Sequence, residues 1–271
     1  MAKQKYKAGR EYPWLPGASR QMVSEILALP NPPANVICLG DISLLFGETA
    51  DYEIAADVLK PLSDAGIKVT HAMGNHDMRA EFLKTFPDYK TSTKVPGRIV
   101  SVVETPFVDF ILLDSLSEPK PAERGQFKPL EGCGLGDAQK KWLEATLPSL
   151  AKPTFVCAHH MAGPLGIGKL CAGSPKVVGF LHGHHHHWMT NYLSTGYSDD
   201  ARTIRCMGFP SFGIDRDIGW GLIRTTPKKA ILECNARDFY FPTKRPAGKR
   251  PASWDGFVRD WDGRRIEFAF A

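Results

Sequence analysis

The sequence predicts an α/β fold built on parallel strands, and two observations carry the prediction. Between Ala18 and Met73, segments with helical spacing alternate with short apolar runs, the pattern of parallel strands joined by helices. Four apolar runs end in oxygen or nitrogen ligands: Asn35 to Leu39 in Gly40-Asp41, Ile67 to Met73 in Gly74-Asn75-His76-Asp77, Phe155 to Ala158 in His159-His160, and Val177 to Leu181 in Gly183-His184-His185-His186-His187. Open α/β sheets assemble their sites at such carboxyl ends.

The elements follow in order. Residues 1–16 are basic, proline-broken and expected to be irregular. Met22, Ile26 and Leu29 recur at helical spacing from Ala18 to Ala28, and Pro30, Pro32 and Pro33 end that helix. Asn35 to Leu39 is a strand. Asp51 to Asp64 places Ile54, Val58, Leu59 and Leu62 on one helical face, closed by Gly66. Ile67 to Met73 is the next strand, and the crossover between the two is expected to be right-handed. A short helix from Arg79 to Thr85 precedes a hairpin, Arg98 to Glu104 with Asp109 to Leu113. Ser115 to Gly136 is a long glycine- and proline-rich loop, a kind that is usually functional or mobile. Asp137 is read as the N-cap of a helix to about Leu147. Strands at Thr154 to Ala158 and Val177 to Leu181 carry the histidines. Thr203 to Met207, Trp220 to Arg224 and Ile231 to Cys234 are read as a second sheet packed on the first, so that residues 192–271 form its β-rich C-terminal part.

The chain has 271 residues, 43% hydrophobic and 23% charged, enough to bury a full core as one domain over residues 1–271. Its formal charge of +5 is mild. Lys244-Arg245 and Lys249-Arg250 contribute to it, but no basic stripe interleaved with aromatics accompanies them, so a nucleic-acid partner is not expected. The six cysteines are scattered without a C-x-x-C pair and read as small buried hydrophobes of a reducing compartment. No apolar run reaches the roughly 18 residues of a membrane span, and no signal-like apolar segment follows the basic start. The chain as written reads as cytoplasmic, with export open if a leader precedes it.

Asp41, Asn75, His159 and His184 offer one carboxylate, one amide oxygen and two imidazoles. That donor set suits a divalent transition metal, Mn, Fe, Zn or Co, rather than a structural thiolate site. His76, between Asn75 and Asp77, is placed to protonate a leaving alkoxide while a metal-activated water attacks. Asp77 is expected to orient His76 rather than bind metal. His71, Cys157 and His182 lie inside strands and read as structural.

Gly40-Asp41, Gly74-Asn75-His76-Asp77, His159-His160 and Gly183-His184-His185-His186, in this order and spacing, resemble the calcineurin-like metallophosphoesterase superfamily. Leu113-Asp114-Ser115, Gly134-Leu135-Gly136, Gln139 and Trp142-Leu143 resemble its branch of class III cyclic nucleotide phosphodiesterases. The resemblance implies a four-layer α-β-β-α sandwich and a dinuclear centre that hydrolyses phosphomonoesters or phosphodiesters. By the family pattern Asp41 bridges two metals, Asn75, His159 and His184 complete one metal's shell, and His186 serves the other. The pattern favours His159 over the adjacent His160 as ligand.

One part of that pattern is missing. Family members open with a strand ending in Asp-x-His, and this chain has no Asp-x-His anywhere; its first aspartate is Asp41 and its first histidine His71. One metal site is therefore expected to be intact and the second incomplete. Either the natural sequence starts further upstream, the reading favoured by the four intact ligands, or the second site has degenerated. The expected function is metal-dependent hydrolysis of a small phosphate ester, a nuclease being the weaker variant. The alternative is a weakly active or non-catalytic metal-binding member of the fold. Substrate identity, native metal and oligomeric state are not legible.

Overall fold

The computed structural model describes residues 15–117, 133–212, 218–237 and 261–270. The start of the basic N-terminus, most of the Ser115 to Gly136 loop and the Lys244 to Arg250 pairs lie outside the described residues.

Helix α1 (Leu15–Leu27) leads into strand β1 (Asn35–Cys38), and helix α2 (Thr49–Asp64) leads into β2 (Lys68–His71). The strands pair in parallel, from Asn35 opposite Lys68 to Cys38 opposite His71. The periodic faces explain the packing: Val23 and Ile26 of α1 and Val58 and Leu62 of α2 are buried against Val36 and Val69. Gly66, at φ +79, lets the chain leave α2 and turn into β2.

Helices α3 (Arg79–Thr85) and α4 (Tyr89–Ser92) follow, then the hairpin of β3 (Ser101–Glu104) and β4 (Asp109–Leu112). Helix α5 (Gly136–Thr146), β5 (Thr154–Ala158), α6 (Gly168–Gly173), β6 (Val177–His182), β7 (Met189–Ser194) and β8 (Thr203–Gly208) come next. Six of these strands form one mixed sheet in the order β3-β4-β5-β6-β8-β7. Its four central strands, β4, β5, β6 and β8, are parallel. Strands β9 (Ile218–Thr225), β10 (Lys229–Arg237) and β11 (Arg265–Ala269) make a separate antiparallel sheet.

The layering follows from strand alternation. On β4 and β5, Phe110, Leu112, Phe155 and Cys157 point into a core shared with Ala72, Ala230, Leu232 and Phe268. Their neighbours Ile111, Leu113, Val156 and Ala158 point the other way, onto Leu143 of α5 and Cys171 and Ala172 of α6. The order is thus α1 and α2, then β1-β2 with β9 to β11, then the six-stranded sheet, then α5 and α6. That is the expected four-layer sandwich. Gly179 makes the sheets' approach possible, since a Cβ there would stand 2.8 Å from the Phe155 ring and 2.9 Å from that of Phe268.

Several expectations are corrected. Thr203 to Met207 does not join the second sheet; as β8 it pairs in parallel with β6. Both its faces are buried, Cys206 against the outer helices and Met207 in the inter-sheet core, as an interior parallel strand requires. Strand β7 escaped notice because it is a largely exposed edge. Strand β11 escaped although Ile266 and Phe268 are buried and alternate with exposed neighbours. Asp137 is not an N-cap: the helix begins at Gly136, and Asp137 sits in its first turn, where a negative charge faces the helix dipole favourably. Among the described residues β1 pairs only with β2, and the second layer is split into two-stranded and three-stranded parts.

Candidate metal centre

Two loops meet where β1 and β2 end. Gly40 has φ +96 and Asp41 φ +53. A Cβ on Gly40 would stand 2.8 Å from the Gly74 nitrogen, and one on Gly74 would stand 2.2 Å from Asp41 Oδ1. Both glycines are therefore required by backbone contact rather than by turn geometry alone. A left-handed aspartate costs on the order of 1 kcal/mol, and its side chain offsets this with two contacts. Oδ1 accepts the His76 backbone N–H at 2.9 Å, and Oδ2 lies 2.9 Å from His159 Nε2.

The other two strand ends supply imidazoles. His159 Nδ1 lies 2.8 Å from the Leu39 carbonyl, and a carbonyl only accepts, so Nδ1 carries the hydrogen and Nε2 is turned to Asp41. His184, another left-handed residue at φ +68, puts Nδ1 2.9 Å from Asn75 Oδ1 and 3.3 Å from His159 Nε2. The ring nitrogens that His159, His160 and His184 can offer all lie within 4.8 Å of one another. The structure thus brings together Asp41, Asn75, His159 and His184, and adds His160. His186, half-buried at φ +54, lies outside that trio.

The electrostatics suit a cation. Burial pushes the Asp41 carboxyl up, but the charge and hydrogen bond of His159, with His76, outweigh it and hold the group well below the usual carboxylate range. His159 shows the reciprocal effect: burial lowers its pKa, and Asp41 more than reverses this. Burial, reinforced by His159, drops His184 to about 4 and His160 to about 3. Both are therefore neutral at physiological pH, the form in which imidazole binds a metal.

His76 is half-buried, and its Nδ1 lies 3.0 Å from the Leu45 carbonyl; a carbonyl only accepts, so Nδ1 carries a hydrogen in that contact. The expectation that Asp77 orients this ring is corrected. Asp77 Oδ1 accepts the Ser43 N–H at 3.0 Å and Oδ2 the Gly74 N–H at 2.8 Å. It is spent on joining the two loops, because a buried carboxylate satisfies unpaired backbone donors best. Burial first, then the Asp41 charge, pushes Asp77 up to about 7.

His71 and His182 are buried, and burial drops each to about 4. His71 Nδ1 lies 3.2 Å from the Tyr89 hydroxyl. Cys157 is buried and free. Ser115, noticed only as part of a family-like run, is the residue that sequence reasoning left without a role. Its hydroxyl lies 2.9 Å from His160 Nδ1. Asp114 beside it takes a bidentate bond from Arg79 at 2.7 and 2.8 Å, accepts the Ile99 N–H, and is clasped from its own backbone by Gln139.

A family model for calcineurin-like phosphoesterases matches residues 17–188. The chain belongs to the calcineurin-like phosphoesterase family. A search of curated proteins finds no match. Among solved structures, this phosphoesterase-family chain is similar to the sulfate thiohydrolase SoxB of Thermus thermophilus, solved in complex with glycerol, at 10% identity and TM-score 0.45. That likeness covers 82% of this chain and 42% of SoxB, so the chain spans less than half of that relative's length. It is also similar to a double mutant of Vps29 from Entamoeba histolytica, at 10% identity and TM-score 0.35, covering 100% of this chain and 94% of Vps29. Calcineurin-like phosphoesterases typically bind divalent metals, and the half-buried carboxylate and amide oxygen with the imidazoles of His159, His160 and His184 fit one. No helix among the described residues is long and apolar enough to cross a membrane.

Proposed function

We propose that this member of the calcineurin-like phosphoesterase family hydrolyses small phosphate monoesters or diesters in a metal-dependent reaction. One observation carries the reading: Asp41, Asn75, His159 and His184, from four strand ends, converge on one point, and His76 is tied to the same point through its N–H bond to Asp41. When bound, a divalent ion such as Mn, Fe, Zn or Co supplies Lewis acidity toward phosphoryl oxygens and lowers the pKa of water to about 7.

The protein's residues supply the rest. Asp41 contributes the anionic oxygen, and its left-handed backbone aims that oxygen between the loops. Asn75 and His184 hold each other at 2.9 Å, so neither donor has to be ordered when the ion binds. His76 acts as general acid: as the water oxygen forms its bond to phosphorus, the leaving oxygen departs with the bonding pair and takes the proton from Nε2. Because Leu45 fixes the ring and Asp41 fixes its backbone, the acid keeps a set distance from the ligands. Asp77 locks the loop that carries both.

A second reading, a metal-binding protein with weak or no turnover, is favoured by one observation: among the described residues the one clustered donor group is the trio His159, His160 and His184, and His186 lies outside it. Two-metal hydrolases clamp the attacking and leaving oxygens between ions about 3.5–4 Å apart, and losing one ion weakens that clamp. Hydrolysis of bis(4-nitrophenyl) phosphate and 4-nitrophenyl phosphate, measured after chelation and again with Mn added back, separates the two. Turnover that rises with Mn supports the hydrolase. Tight Mn binding without turnover selects the second reading.

A further inference from the structure

His160 is buried beside His159, and its ring bonds define the state of each nitrogen. The Ser115 hydroxyl lies 3.3 Å from the Met73 carbonyl and 2.9 Å from His160 Nδ1. The hydroxyl oxygen also takes the His160 backbone N–H at 3.3 Å; with the hydroxyl hydrogen given to the Met73 carbonyl, Nδ1–H of His160 donates to the same oxygen. Nε2 is then a bare lone pair, and it is buried with no hydrogen-bond partner. An unsatisfied buried polar group costs about 1–3 kcal/mol. His71 and His182 also have a buried Nε2 without a partner, but only His160 stands with its ring nitrogens beside those of His159 and His184. The ring centroids lie 4.8 Å from His159 and 4.7 Å from His184.

We propose that His160 Nε2 is a further ligand of the metal held by Asp41, Asn75, His159 and His184, giving one ion three imidazoles, with Ser115 as the positioning residue. The inference rests on the metal-dependent reading of the site. It accounts for the orphaned lone pair, because a metal ion satisfies it. It also assigns a job to the Asp114 network: Arg79 and Gln139 fix the end of β4, and the next residue, Ser115, presents His160 in the tautomer a metal needs. Such a site answers the absent Asp-x-His differently from a repaired second site, by enriching the first in nitrogen. Imidazole-rich shells favour Zn, Fe or Co over Mn, so the third imidazole should bias the site toward the harder-to-displace nitrogen-binding ions.

The test uses the full chain, with Zn and Mn as probes. X-ray absorption of the Zn-loaded wild type counts imidazoles without any mutation, and three are expected. In calorimetric titrations, His160→Ala should lose Zn affinity by more than about 100-fold and Mn affinity by less. Ser115→Ala should lose roughly 10–100-fold for Zn, the effect usual for a residue that orients a ligand. Two imidazoles in the wild type, or Zn affinity unchanged in His160→Ala, would overturn the inference and leave the hydrolase reading standing. Failure of the wild type to bind either ion overturns both. If His160→Ala does not fold, the imidazole count decides alone.

Discussion

Asn75 Oδ1 and His184 Nδ1 lie 2.9 Å apart although 109 positions separate them in the chain. Two donors do not come this close by accident of packing, since both have to be aimed: Asn75 by the loop that Asp77 closes onto Gly74, and His184 by a left-handed backbone. The contact orders two of the four candidate ligands relative to each other.

Asp41 should be the ligand whose loss does most harm. It is the one anion among the donors, and it also carries the His76 backbone bond. Asp41→Asn is expected to reduce Mn affinity more than Asn75→Ala does, by calorimetric titration. The reverse order would mean that Asp41 does not touch the metal.

His76→Ala should leave metal content nearly unchanged and lower turnover by roughly 10²–10⁴ for esters with poor leaving groups. For activated aryl esters, whose leaving oxygen needs no proton, the loss should be much smaller. Equal losses on both kinds of substrate would remove the general-acid role.

Much of this was legible in the sequence because each candidate ligand follows the end of an apolar strand. Gly40-Asp41, Gly74 to Asp77, His159-His160 and Gly183-His184 could be read as convergent once the strands were taken as parallel neighbours. The part that was not legible depends on contacts between distant segments. Asp77 next to His76 looks like its orienting partner, yet its oxygens go to Ser43 and Gly74, a choice made by tertiary closure of two loops. Ser115 carries no local sign of its bond to His160, 45 positions away. Strand β8 was misassigned because a five-residue β segment, Thr203 to Met207, says nothing about which sheet it enters, and the edge strand β7 has too little buried surface to show a pattern.

Stability should depend on pH through His71. Its folded pKa is about 4, lowered by burial from an ordinary 6.5. Between those values the unfolded chain takes up a proton that the folded chain refuses, so stability rises with pH across this window, is lost as pH falls, and is flat for this group above it. The full contribution is on the order of 3 kcal/mol. Urea denaturation of wild type and His71→Phe at about pH 4.5 and about pH 7.5 should show a smaller pH difference in the variant. An equal difference would show that His71 does not titrate this way.

Asp114 is fully buried and accepts two bonds from Arg79 and one from Ile99. Asp114→Ala removes the anion facing a largely buried guanidinium, which should cost about 3–5 kcal/mol in chemical denaturation. It should also weaken metal binding, through Ser115 and His160. A loss below about 1 kcal/mol would mean that Arg79 reaches water as readily as a surface residue.

The central claim is that four strand ends build one firm metal centre in this chain. Elemental analysis of the protein after loading with Zn or Mn and gel filtration tests it directly. The account predicts close to one equivalent of transition metal per chain, falling toward zero in Asp41→Asn. Two firmly held equivalents, or none in the wild type, would contradict it.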